Sequence, residues 1–247
     1  MTANLPMTTL SQLQATLTTN QAAHASNLLN YFTWNQHKNF AGVGRSGSVF
    51  EFFGGRGDVG HNADRFTYQD CLAPSFLSVN IPAIGAYRIV EGDLATSTSA
   101  KLSQIPKGVP LSALLWQQHA SVIDGLFQEL KTIDDIGWVG ASKLMARKRP
   151  DLIPILDNVL YEALDFSKKE TGKETWSRLA TWMSDATVIS ALTAIQQTAT
   201  TAFGPTPRAN ALNPLGPSSL SLTRVLDICI WEEHDPHREN PEITCLF

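Results

Sequence analysis

The sequence predicts a mainly α-helical protein, on three observations. Apolar residues recur at three- and four-residue spacing along most of the chain. Runs that alternate apolar and polar residues are nearly absent. The periodic stretches are also punctuated by Ser, Thr or Asp before them and by Gly or Pro after them, as helix ends are.

From Thr8 to about Trp34 the spacing of Leu10, Leu13, Leu17, Leu28, Leu29 and Phe32 predicts two helices, with Thr and Ser ahead of them as caps. The next segment, Asn39 to Asn62, holds seven glycines and reads as a loop over the core, with 48–53 a short strand or one apolar turn. Its Arg56-Gly57-Asp58 is an adhesion motif by letters alone. Thr67-Tyr68-Gln69-Asp70 opens a helix that runs through Cys71, Leu72, Phe76 and Leu77, with Pro74 as a kink or first-turn residue, and ends near Asn80. Short helices are expected at 86–89 and 94–105, then two helical segments at 111–117 and 122–130. Beyond these come helices at 159–166, 176–183 and 188–203, a Pro/Asn/Gly/Ser loop at 204–219, and a last helix at 220–231 before a surface arm.

The residues that carry chemistry lie in Ile133–Leu164. Gly137 and Gly140 supply a turn that lets the backbone approach a ligand, and Ala141, Leu144 and Met145 begin a helical period. Lys143 and Arg147, four residues apart, share one face and predict an exposed basic surface, with Lys148 and Arg149 closing the turn. Arg149-Pro150 stops that helix, and Asp157 is positioned as the N-cap of the next.

The pattern Ile133-x-x-Ile136-Gly137-x-x-x-Ala141, followed by Pro154-Ile155-Leu156-Asp157, resembles the helix-hairpin-helix DNA glycosylase superfamily (HhH-GPD), and in the PILD segment it is similar to adenine glycosylases of the MutY type. The chain as a whole resembles a bacterial family of unknown function, DUF6308, through FTYQDCLAPSFLSVNIP, GWVGASKLMARKRPDLIPILDNV and SLTRVLDICIWEEH. The first resemblance implies a fold of two helical lobes, approximately 83–166 with the hairpin and 1–82 plus 167–247 as the second. It implies DNA as partner, with backbone N–H groups around Ile136, Gly137, Trp138 and Gly140 on a phosphate and Lys143 and Arg147 beside them. It implies catalysis by Asp157, whose carboxylate stabilises the sugar cation as a flipped, modified or damaged base departs. Leu77-Ser78-Val79-Asn80 looks like the turn whose amide fills the gap left by that base, so Asn80 is a wedge or else a helix C-cap.

Three departures refine the reading. Val139 stands where bifunctional relatives carry a lysine nucleophile, which leaves monofunctional hydrolysis of the N-glycosidic bond. Asp135 replaces the first hairpin glycine, and Asn158 replaces the glycine that follows the catalytic Asp. The iron–sulfur cluster of MutY and endonuclease III relatives needs four close cysteines, and Cys71, Cys229 and Cys245 are three and far apart, so no cofactor is expected. The alternative is a non-catalytic module that binds nucleic acid or protein on the same scaffold.

Composition sets the remaining bounds. With 43% hydrophobic and 17% charged residues the chain is an ordinary globular protein. It holds no apolar run of membrane-spanning length and no secretory leader pattern, so a cytoplasmic protein with no membrane partner is expected. A net charge of −4 disfavours non-specific nucleic-acid binding, although a local basic face is compatible with it. Of the six histidines only His234 and His237 have ligand-like spacing, in a tail that reads as solvated, so no metal site is expected. The nearest approach to Gly-x-Ser-x-Gly, Gly44-Arg45-Ser46-Gly47-Ser48, ends in Ser and lacks the flanks of a nucleophile elbow. Trp138, inside the hairpin, is the aromatic residue best placed to stack on a base.

Overall fold

A computed structural model describes residues 9–33, 44–166, 171–204, 213 and 215–234. Among these residues the regular structure is helical and no strand occurs, as the periodicity predicts. The α-helices are α1 (Leu10–Thr19), α2 (Gln21–Thr33), α3 (Tyr68–Leu72), α4 (Ala83–Val90), α5 (Ala95–Leu102), α6 (Ala113–Leu130), α7 (Trp138–Lys148), α8 (Asn158–Ala163), α9 (Gly172–Trp182), α10 (Ala186–Phe203) and α11 (Leu222–His234).

The helix starts follow cap chemistry. Thr9, Thr67 and Thr171 close capping boxes with Gln12, Asp70 and Glu174, and Ser112, Asp157 and Asp185 cap α6, α8 and α10. One expectation is corrected. The segments expected at 111–117 and 122–130 form the single helix α6, because nothing in His119-Ala120-Ser121 breaks a helix. Of the two readings of 48–53 the structure has the turn and not the strand, in short 3₁₀ turns at Ser46–Val49 and Phe53–Gly55, and a third follows at Gly60–Asn62. Pro74 opens a 3₁₀ turn, Ala73–Leu77, directly after α3, and Ser78 ends it in the left-handed region at φ +60°.

The chain divides into two compact units. The first draws on 1–48, 157–169 and 185–247, where α10 packs on α2, α1 and α11, and α8 packs on α11. Its core includes Leu13, Leu17, Leu28, Phe32, Leu192, Ile195 and Phe203, with Phe32 edge-on to Phe203 at 6.1 Å.

The second unit draws on 49–156 and 170–184 and is built around α7, nine of whose eleven residues are buried. Trp176 of α9 is wholly buried against Phe127 and Trp116 of α6, and its indole N–H donates to the Pro154 carbonyl at 3.0 Å. Truncating such a side chain costs about 3–5 kcal/mol.

These units differ from the lobes expected at 83–166 and 1–82 plus 167–247. Residues 49–82 and 171–184 go with the hairpin, because side chains of α7 bind the former and Trp176 docks the latter. Residues 157–166 go with the terminal segments, because α8 packs on α11.

Candidate functional site

The hairpin is the turn between α6 and α7. Asp135 adopts φ +65°, a left-handed conformation that favours glycine and that Asp tolerates better than most residues. Ile133 and Ile136 are buried, and α4 comes close enough that a Cβ on Gly85 would lie 3.0 Å from Ile133 and 3.2 Å from Ile136. Gly137 is the N-cap of α7 in extended backbone (φ −72°, ψ −179°) with no side-chain cap bond. It is exposed, and a Cβ there would meet nothing within 4 Å, so the space before the helix start is open. Gly140, one turn in, is buried against Ile136, Val79 and Ile81. That contact sets the exposed Asn80, between Val79 and Ile81, beside the start of α7. Trp138 and Val139 are half-buried.

The basic face is a correction. Lys143, Arg147, Lys148 and Arg149 are at most 5% exposed, so α7 presents no solvated cationic surface. Lys143 Nζ donates to the Leu77 carbonyl at 2.8 Å. The Arg147 guanidinium donates to the carbonyls of Phe50, Glu51 and Phe53 and, at 3.3 Å, to Asp70. Lys148 Nζ donates to Asp70 at 3.0 Å and to the Asn62 carbonyl at 2.8 Å. Arg149 donates to the carbonyls of Ile105, Ala63 and Leu102 and to Asp64 at 2.6 Å. The physical reason is backbone demand: the glycine-rich 50–64 segment lies in irregular structure, and its inward carbonyls need donors that no neighbouring strand or helix provides. Burial lowers the pKa values of Arg147, Lys148 and Arg149, while Asp70 opposes this for the first two and Asp64 for the third.

The close fit shows at Gly57, where a Cβ would lie 2.5 Å from the Arg147 carbonyl and 2.8 Å from Asp70. Asp70, Asp64 and the carbonyl set escaped sequence reading because they lie 77 to 97 residues from Arg147 or 44 to 86 from Arg149. The signal that does exist in the sequence is a glycine-rich stretch too irregular to bond all of its own carbonyls in a helix or ladder.

Asp157 caps α8 as expected: its Oδ1 accepts from Leu160 N at 3.0 Å, and its other carboxylate oxygen has no hydrogen-bond partner among the described residues. The side chain is half-buried. The residue before it, Leu156, is held from α7 by a contact that sequence reading missed. Buried Ser142 Oγ donates to the Leu156 carbonyl at 3.0 Å and accepts from Leu156 N at 3.1 Å. Asp134 and Asp135 are exposed on the hairpin, so its own surface charge is acidic.

No cluster of three or more potential metal ligands occurs among the described residues. His237 and Cys245 lie outside them, as do 34–43. Cys71 and Cys229 are buried, and burial pushes the Cys71 thiol up to about 12 and Cys229 further. No helix among the described residues is long and apolar enough to cross a membrane.

Most of the chain, residues 24–234, matches the family described as "Family of unknown function (DUF6308)". No curated protein and no solved structure matches it.

Proposed function

The chain belongs to the DUF6308 family, and for this member we propose a DNA glycosylase-like activity: monofunctional hydrolysis of the N-glycosidic bond of a modified or damaged base, with Asp157 as the catalytic carboxylate. The observation that carries this reading is the divided use of Asp157. One oxygen fixes the side chain on the Leu160 amide and the other has no partner among the described residues, on a residue that follows directly on the Leu156 backbone that Ser142 holds. A carboxylate held in that way can offset positive charge on a sugar carbon without reorganising. Water then adds as hydroxide to that carbon, its proton leaving with the base. Backbone N–H groups at the open start of α7 serve for the phosphate, and exposed Asn80 for the wedge.

Because the basic residues of α7 are engaged internally, few phosphates are neutralised, and the salt slope of binding should be nearer one or two than the six to ten of strongly electrostatic binders. A second reading, a non-catalytic binding module on the same hairpin, is favoured by exposed Asp134 and Asp135, whose charge opposes a phosphate close by.

The test is a panel of duplexes, each with one modified base, assayed for alkali-labile abasic sites. Asp157→Asn retains the cap and should lower base release by roughly two to four orders of magnitude. With Val139 in place of a lysine, no borohydride-trapped adduct should form. Base release unaffected by Asp157→Asn would refute the role of Asp157, and binding without base release on any duplex would favour the second reading.

A further inference from the structure

Seven large apolar side chains are exposed among the described residues, and four of them, Tyr68, Leu72, Ile84 and Tyr87, come from two helices that pack together, α3 and α4. Their exposure is 46–65%. Spacing puts each pair on one helix face, since Tyr68 and Leu72 are four apart on α3 and Ile84 and Tyr87 three apart on α4. The other faces of these helices serve the fold. Asp70 and Cys71 are buried on α3, and Gly85, Ala86 and Ile89 on α4, with Gly85 close against Ile133 and Ile136 of the hairpin. The two exposed faces adjoin, because desolvation, a hydrogen bond to Glu91 and the charges of Glu91 and Tyr87 together raise the pKa of the Tyr68 hydroxyl. Single exposed apolar residues are ordinary, but a shared patch on two neighbouring helices marks a contact surface.

The charge around this patch is acidic. Glu91 lies one turn beyond Tyr87 and bonds Tyr68. Arg88 donates to both carboxylate oxygens of Asp93, at 3.0 and 2.8 Å, and the charge of Asp134 on the hairpin adds to the upward shift that the Asp93 hydrogen bond gives its pKa. One cation thus stands among three acids. Lys143 of α7 brings no charge to this surface, being turned inward on the Leu77 carbonyl.

That sign decides between occupants. A second copy docked through a two-fold contact would bring two acidic rims together, and a nucleic acid would bring phosphates against Glu91, Asp93 and Asp134; like charges across an interface oppose both. A protein segment with an apolar helical face and lysine or arginine on its flanks matches the patch and its rim together.

We infer that the α3–α4 face docks a basic amphipathic helix of another protein, its apolar residues on Tyr68, Leu72, Ile84 and Tyr87 and its cations on Glu91, Asp93 and Asp134. The face lies wholly within the second unit, and the inference does not depend on the glycosylase reading.

The test uses the full chain and three fluorescein-labelled peptides of about five helical turns. One is a Leu/Lys helix with a single apolar face, one its Leu/Glu counterpart, and one a Leu/Lys peptide of the same composition scrambled to have no apolar face. Fluorescence anisotropy should show saturable binding of the first and none of the other two. Ile84→Gln combined with Tyr87→Ser, both at exposed positions, should leave the melting temperature unchanged and weaken binding roughly tenfold, as truncating interface anchors does. Leu72→Gln, on α3, should weaken it independently, and Asp134→Asn should flatten its salt dependence. The proposal is overturned if the Leu/Lys helix does not bind saturably, if either control peptide binds as well, or if both face variants bind as tightly as the parent. It is overturned too if sedimentation shows a dimer of the parent that Ile84→Gln with Tyr87→Ser dissociates, since a second copy is then the occupant.

Discussion

Replacing Arg147 by Met separates a structural cation from a DNA-binding one. The side chain is 2% exposed and donates to the carbonyls of Phe50, Glu51 and Phe53 and to Asp70. Met fills similar volume but leaves those carbonyls without their donor and removes one of the two cations beside Asp70, Lys148 being the other. Hydrogen bonds to charged groups are worth about 1.5–3 kcal/mol each, but the segment can relax towards water. The loss should therefore be near the ~3–5 kcal/mol typical of breaking one side of a buried pair. With a urea slope of roughly 2–3 kcal/mol per molar, the unfolding midpoint should drop by about 1–2 M. Arg147→Lys, which cannot reach four acceptors with a single ammonium, should lose about half as much. Added salt should change neither loss much, since buried pairs are poorly screened. The assay is urea unfolding followed by circular dichroism and tryptophan fluorescence. A Met variant as stable as the parent but deficient in DNA binding would refute the reasoning and restore Arg147 to a solvated face.

Asp135→Gly relieves a left-handed non-glycine residue and removes an exposed negative charge from the hairpin. Stability should stay level or rise by up to about 1 kcal/mol, and binding of a DNA duplex in a mobility-shift titration should tighten; weaker binding would mean that the hairpin does not face phosphate. Asp64 gives a pH signature: burial pushes its pKa up, but hydrogen bonds from Lys107 and Arg149 outweigh this and hold it below the ordinary carboxylate value. The ionised form is thus favoured in the folded state, so its stabilisation is complete above about pH 4 and is lost as pH falls through the lowered folded-state pKa. Urea unfolding of Asp64→Asn at a series of pH values should show a shallower acid limb, by a small amount because the side chain is 38% exposed; parallel acid limbs would contradict the assignment.

What could be read in the sequence and what could not divide along one physical line. Local signals survived folding: the caps Thr67 and Asp157, the helix stop at Arg149-Pro150, and the need for a left-handed residue at Asp135 depend on a few neighbouring residues, and the structure has each of them. The fate of Lys143, Arg147, Lys148 and Arg149 depended on segments dozens of residues away, and a helical face with four cations looks solvated when those segments are unknown. The surrounding sequence nevertheless contained the counter-argument. Residues 50–64 carry four glycines, at 54, 55, 57 and 60, and their irregular turns leave carbonyls such as those of Phe50, Phe53, Asn62 and Ala63 turned inward. Such acceptors require donors with long reach and several N–H groups, which is the description of arginine and lysine. A glycine-rich segment with no ladder of its own and a helix with four clustered cations are therefore complementary halves of one buried network. The same logic leaves the proposed nucleic-acid contact, among the described residues, without the Lys143 and Arg147 side chains and dependent on the open amide end of α7 and on exposed Asn80.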